Sequence, residues 1–373
     1  MKHQISDGIF NKTKVIMKPG AEYADNVRMF QGIPGMERAP NGRLWAAWYG
    51  GGINEDRYNY IMLNTSANNG ETWSNLKLVV DPDGSGPMRA FDPCLWHDPA
   101  GRMWLFWNQV LGNRENEYVD EEVRNWFLWG MHTNDSGREN PKWSKPERLC
   151  EAIMLNKPIV LSTGEWLLCS SDWAWDCSAR VFRSTDKGKT WNHLGRANVA
   201  DKSERSFDEH MVVERSDGSL WMLVRTRYGL GESFSHDRGR FWTYVKPTGI
   251  GHACSRFFIR RLKSGNLILV KHGRTIEQCP FSRCMLTAFV SADDGRTWKG
   301  GLMLDERVGV SYPDGVEAKD GTIYVIYDYN RGTDKEILMA RFTEKDILAK
   351  KLCSPASKFR LLVNKATGKN PSI

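Results

Sequence analysis

No Cys-x-x-Cys pair occurs among the eight cysteines, and the eight histidines never fall at metal-ligand spacing. A zinc finger, a redox dithiol and a catalytic metal centre therefore have no support, and neither a metal nor a cofactor is expected. The cysteines (Cys94, Cys150, Cys169, Cys177, Cys254, Cys279, Cys284, Cys353) mostly sit in apolar surroundings. That placement suits buried free thiols in a reducing compartment. No stretch approaches the roughly 18 apolar residues of a membrane span, and residues 1–7 (MKHQISD) lack the apolar run of a signal peptide. A soluble, cytoplasmic protein without a membrane partner is the expectation. Helix-forming stretches rich in Ala, Leu and Glu are scarce. No basic stripe with interleaved aromatics is present either, so nucleic acid is not an expected partner. The net charge of +7 does not alter this. Residues 345–373 hold seven Lys/Arg against Asp346 alone, which gives that tail +6 and leaves the body near +1. A solvated, frayed terminus from about residue 345 is expected. Nothing in the sequence marks an oligomeric state.

Glycine and tryptophan are plentiful, at 34 and 16 residues. A length of 373 residues would ordinarily suggest two domains, but repeat architectures escape that limit because each unit packs only on its neighbours. A turn ending in Gly and leading into an apolar strand occurs six times. The copies are Asn41-Gly42-Arg43-Leu44-Trp45, Ala100-Gly101-Arg102-Met103-Trp104, Thr163-Gly164-Glu165-Trp166-Leu167, Asp217-Gly218-Ser219-Leu220-Trp221, Ser264-Gly265-Asn266-Leu267-Ile268 and Asp320-Gly321-Thr322-Ile323-Tyr324. Successive glycines lie 59, 63, 54, 47 and 56 residues apart. Such turns mark tight hairpins, and a period of about 55 residues suits a four-stranded propeller blade with its loops.

A second motif alternates with the first. Residues 184–191 (STDKGKTW) and 291–298 (SADDGRTW) match the Asp-box pattern S-x-D-x-G-x-T-W in full. Residues 66–73 carry Asn68 for the Asp, and residues 235–242 carry Phe241 for the Thr. A degraded copy begins at Thr133 and reaches Trp143 after three extra residues. The chemistry of these boxes is structural: Ser and Asp side chains bond turn amides, and the Trp packs between blades. Six hairpins and five boxes predict one all-β domain, a six-bladed β-propeller, with the last blade lacking its box at residues 330–334. Val15-Ile16-Met17 is expected to close the ring beside Ile337-Leu338-Met339.

Propeller sites draw single polar residues from several blades, so a local motif is not expected. Gly32-Ile33-Pro34, the boxes, Glu209, Arg225, Arg283 and Tyr312, in that order, resemble the sialidase superfamily over roughly residues 25–345. The resemblance implies an exo-acting glycoside hydrolase with a Tyr nucleophile and an oligosaccharide substrate, retaining in stereochemistry. Tyr312 in Val310-Ser311-Tyr312-Pro313 matches that nucleophile, and Glu209 in Phe207-Asp208-Glu209-His210 matches its base. Arg225 and Arg283 match two of three arginines that clamp a substrate carboxylate. Asp56 falls where the acid/base belongs, with Glu55 as its alternative, and Asp92 matches a further acidic pocket residue.

The sequence departs from the pattern at the first clamp arginine, where Gly32 stands. Losing one charged hydrogen bond, about 1.5–3 kcal/mol, should weaken carboxylate binding and leave little hydrolysis of ordinary sialosides. Arg57 or Arg89 could supply the missing guanidinium, or Gln31 could bind a neutral sugar. Two other functions are consistent with the same residues. A polysaccharide lyase would use His210 with Tyr312, the tryptophans Trp173 and Trp175 stacking on sugar rings. A lectin-like propeller would need the pocket but no contact between Tyr312 and Glu209.

Overall fold

The computed structural model describes residues 12–84, 88–111, 126–173 and 176–369. Among them the strands form six antiparallel sheets, five of four strands and one of five, arranged as the expected six-bladed propeller. The inner strands are Gln31–Arg38, Met88–His97, Ile159–Val160, Arg205–Glu214, Phe258–Arg261 and Val310–Glu317. Each blade meanders outward from its inner strand, so alternate connections fall on opposite rims.

The six glycine turns join first to second strands. In each, the glycine N–H closes a turn onto the carbonyl three residues earlier, for example Gly42 to Ala39 at 2.9 Å and Gly164 to Leu161 at 2.8 Å. These glycines all hold φ between 80° and 98°, where a Cβ would be strained. The Asp-boxes join third to fourth strands on the same rim. Ser184 Oγ donates to Asp186 Oδ1 at 2.8 Å and accepts from the Gly188 amide at 2.8 Å, while Thr190 donates to Asp186 Oδ2 at 2.6 Å. Residues 291–297 repeat this network. The hydrogen bonds from Thr190 hold the Asp186 carboxyl down to about 2.

Three expectations are corrected. Residues 330–334 are not the site of a missing box, because they connect second to third strands on the opposite rim. The box position in blade six holds a short helix, Glu344–Ala349, whose Thr343 and Asp346 form a reciprocal capping box. The tail is not frayed either. Lys358–Lys365 pairs with Glu336–Thr343 as the outer strand of that blade. Its alternation places Phe359, Leu361 and Val363 inward and Lys358, Arg360 and Lys365 outward, where Lys358 meets Glu71 at 2.8 Å and Lys365 meets Glu336 at 2.8 Å. The basic residues thus form the solvated face of an edge strand, which discourages edge-to-edge association. With blade six completed by its own C-terminal strand, Val15–Ile16 does not join it. This segment instead adds a fifth strand to blade one, opposite Val80 and Val79. The chain ends still clasp: the buried Arg28 guanidinium bonds the Tyr23 carbonyl at 2.6 Å and Asn364 at 2.8 Å.

Two buried cations plug the central channel, where the inner strands leave carbonyls without ladder partners. Arg256 donates to the carbonyls of Pro34, Leu155 and Tyr312 at 2.8, 3.0 and 3.0 Å, joining blades one, three and six. Lys157 donates to the carbonyls of Met36 and Leu95 and lies 3.0 Å from Asp314.

Candidate active site

Four inner strands break register at equivalent places: Gly32/Gly35, Phe91/Cys94, Asp208/Met211 and Ser311/Asp314. Each bulge holds a non-glycine residue in the left-handed region, namely Ile33 (52°), Asp92 (49°), Glu209 (42°) and Tyr312 (54°). Three are followed by proline (Pro34, Pro93, Pro313), which cannot donate to a ladder and therefore fits a bulge. Such conformations cost on the order of 1–3 kcal/mol each and gather where function needs them. All four bulges lie on the rim opposite the boxes.

The bulges bring Tyr312 and Glu209 together across the channel. Tyr312 Oη donates to Glu209 Oε1 at 2.7 Å, and Arg225 Nη1 reaches both, at 3.1 and 2.7 Å. All three residues are buried. Burial raises the Tyr312 phenol well above its usual value, and the Glu209 charge adds to this against the pull of Arg225, Arg283 and Arg331. The phenol is therefore neutral at rest and needs a base to react. Glu209 Oε2, Arg225 Nε and Asp92 Oδ1 are buried without hydrogen-bond partners. An orphaned polar atom costs about 1–3 kcal/mol, so three of them gathered from the inner strands of blades two and four and from Arg225 suit a site that a polar ligand completes.

A guanidinium reaches the space beside Gly32 from an unexpected place. Arg331, just beyond the second strand of blade six (Thr322–Tyr329), lies with its Cζ 4.3 Å from the Tyr312 ring centroid. Asp328 at 3.0 Å, Glu55 at 2.6 Å and Ser311 at 3.1 Å hold it there. A Cβ on Gly32 would come within 2.5 Å of Arg331 Cδ, so Gly32 is the space that Arg331 occupies. Arg283 completes the set, 5.2 Å from the same ring and bonded to the Cys254 carbonyl at 3.3 Å. Three guanidiniums, those of Arg225, Arg283 and Arg331, therefore gather around Tyr312, where two were expected. Arg331 was missed because nothing local marks it; only the closure of blade six onto blade one brings it to Gly32.

The other expected residues divide. Asp92 is buried in the site, its carboxyl pushed up to about 8 chiefly by burial and next by Glu55. Arg89 lies over Phe91 at 4.5 Å and bonds the Glu55 carbonyl at 3.3 Å. Trp173 stands at the rim, its indole N–H on the Phe207 carbonyl at 3.0 Å. Phe207 in turn lies 5.2 Å from the Arg225 guanidinium. Asp56 turns back into its own loop, and Arg57 stacks on Tyr58 at 4.4 Å in a separate cleft with Tyr23 and Tyr60. Gln31 does not face the site: its amide accepts from Arg28 and Trp48 and donates to the Lys335 carbonyl at 2.7 Å. His210 turns to blade three, bonding the Arg180 carbonyl at 2.7 Å, and burial pushes its pKa down to about 4. Trp175 lies outside the described residues. A cavity of about 420 Å³ at the opposite mouth, lined by Trp96, Lys157, Met211 and Arg260, includes none of the Tyr312 group.

Together, the fold and this arrangement define a sialidase-like propeller. Residues 42–325 match the BNR repeat-like domain, and the chain belongs to that family. No curated protein matches the sequence. Among solved structures, a leech intramolecular trans-sialidase complexed with 2,7-anhydro-Neu5Ac superposes with a TM-score of 0.69 at 15% identity, over 90% of this chain and 71% of that one. A Dyadobacter fermentans protein of unknown function gives 0.62 at 18%, over 86% and 94%. Trypanosoma rangeli sialidase in complex with sialic acid gives 0.62 at 14%, over 89% and 57%. At these identities the likeness is one of fold.

Proposed function

We propose that the protein is a retaining exo-glycosidase that removes a glycan-terminal sugar bearing a carboxylate at its anomeric carbon. The observation that carries this reading is the 2.7 Å contact between Tyr312 and Glu209 beneath Arg225, Arg283 and Arg331. A carboxylate nucleophile approaching such a substrate would meet repulsion of about 4 kcal/mol at 4 Å and an effective dielectric of 20. A neutral phenol avoids this. Tyr312 Oη bonds to the anomeric carbon as Glu209 takes its proton and the glycosidic carbon–oxygen bond breaks, its electron pair leaving on the glycan oxygen, which takes a proton from water; the arginines hold the substrate carboxylate in line. Water then attacks the same carbon and releases a proton to solvent, replacing the one taken by the glycan oxygen, while the carbon–tyrosine bond breaks and Glu209 returns its proton to Tyr312. The eight free thiols support a cytoplasmic setting, in which imported oligosaccharides are the substrates.

A lyase would need a base free to move, and the bonded orientation of His210 argues against one. A binding module would not require the Tyr312–Glu209 contact. Incubation with acidic and neutral glycans, read by mass spectrometry, distinguishes the three. Addition of water with retained anomeric configuration is the expected result. An unsaturated product indicates elimination, and binding without product indicates a lectin.

A further inference from the structure

We propose that the far mouth of the channel, on the rim of the Asp-boxes, is a second binding site that takes a small polyhydroxylated acid, a sugar acid or a sugar phosphate. The site stands independently of the glycosidase reading. Its cavity of about 420 Å³ is lined from blades two to six, and an adjoining space of about 230 Å³ shares Lys157, Phe258 and Arg260 with it. Small-molecule sites usually measure about 300–1,000 Å³. The buried side chains of Lys157 and Arg256 close the channel between this cavity and the Tyr312 group, and the two share no residue.

The walls define the chemistry. Ile159, Met211 and Phe258 give apolar surface on which a sugar ring can lie. Four Lys and Arg side chains line the two spaces, and three are committed. Lys157 lies 3.0 Å from Asp314, Arg261 lies 2.6 Å from Asp294, and Lys263 donates to the Ala318 carbonyl at 2.9 Å. Among the described residues the Arg260 side chain makes no hydrogen bond or ion pair, although it lines both spaces and is only partly exposed. A guanidinium offers five donors in a flat fork that fits a carboxylate or a phosphate.

Two acids set the rest of the ligand. Glu214, in the larger space, accepts from the Ser162 amide and hydroxyl, both at 2.7 Å, and Glu317, in the smaller, accepts from the Lys263 amide at 2.7 Å. A carboxylate has about four lone-pair sites, so each still has room for hydroxyl donors while repelling a bare anion. One acid group for Arg260 and several hydroxyls for Glu214 and Glu317 satisfy both signs of charge. A neutral sugar leaves Arg260 unpaired, and a simple anion leaves the carboxylates unused.

The test is a methyl-resolved NMR titration with D-glucuronate, glucose 6-phosphate, glucose and inorganic phosphate. Ile159 reports the far cavity and Ile33 the active-site bulge. Glucuronate or glucose 6-phosphate should shift Ile159 saturably, with Kd below about 1 mM, and the tighter of the two names the acid group. Arg260→Gln should raise that Kd at least about tenfold. No side-chain hydrogen bond or ion pair is lost, so this variant should unfold at the wild-type temperature. Arg260→Lys keeps the charge without the fork and should lose less. Arg283→Ala, at the other mouth, should leave the Ile159 titration unchanged. Four results overturn the proposal. Glucose binding as tightly as the acids shows that Arg260 recognises nothing, and phosphate binding as tightly shows an adventitious ion only. Shifts at Ile33 that Arg283→Ala abolishes, without shifts at Ile159, place the acid in the Tyr312 site. The last is an Ile159 response that is absent at about 10 mM or unchanged in Arg260→Gln.

Discussion

Exchanging the guanidinium between positions 331 and 32 tests the three-arginine clamp directly. Arg331→Ala removes one charged hydrogen-bond donor from the ligand, worth about 1.5–3 kcal/mol, so the Kd for a carboxylated sugar should rise about 10- to 150-fold. The variant should also lose stability. Asp328 is fully buried and gives up its 3.0 Å ion pair, although the Ile33 amide at 2.8 Å still reaches it. Breaking such a pair costs about 3 kcal/mol. Gly32→Arg alone should not strengthen binding, because its Cβ falls 2.5 Å from Arg331 Cδ and 2.7 Å from Cγ. Overpacking of this kind costs about 1–3 kcal/mol. Alanine at 331 removes those clashing atoms, and Gly32 does not hold a left-handed φ, so its backbone accepts an L side chain. The double variant Gly32→Arg/Arg331→Ala should therefore bind at least about tenfold more tightly than Arg331→Ala alone. Isothermal titration with N-acetylneuraminic acid, alongside thermal unfolding, reads both effects. Additive losses in the double variant, or an Arg331→Ala affinity within threefold of wild type, would refute the idea that Gly32 and Arg331 exchange one function.

Tyr312→Phe and Glu209→Gln should each remove at least about 10²-fold of turnover, and the double variant little more, since the pair acts as one unit; additive losses in steady-state kinetics would separate them. Stability should fall as pH drops below about 6.5. Buried His210 and His272 have pKa values lowered to about 4 and 3, so the unfolded chain binds protons first. Urea titrations that stay flat between pH 6.5 and 4.5 would contradict this. Asp186→Ala should lower Tm by a few degrees with kcat unchanged, because the box lies on the far rim, whereas Asp186→Asn should be milder, as Asn68 already fills that role at 3.0 Å from the Thr72 amide. Truncation after residue 356 should abolish soluble expression by uncovering the strand Glu336–Thr343; a well-folded truncated protein would contradict that role for the tail.

What the sequence by itself determined is what arises from neighbours a few residues apart. A box closes within seven residues through Ser184, Asp186, Gly188 and Thr190, and a hairpin through a glycine and the carbonyl three residues before it. Those contacts need no knowledge of the rest of the chain, so the blade count was legible. The order of Glu209, Arg225, Arg283 and Tyr312 was legible too, since each sits at a recurrent place in its blade. Local reading failed where a side chain chooses between neighbours that only ring closure supplies. Gln31 is saturated by Arg28, Trp48 and Lys335, Asp56 by its own loop, and Gly32 is vacant for an arginine from the far end of the chain. The tail Lys358–Lys365 reads as charged when counted and as a strand when paired, because its alternation has meaning only against Glu336–Thr343. Tertiary structure decided these because hydrogen-bond capacity and space are shared among blades, and only the closed ring shows which groups are already satisfied.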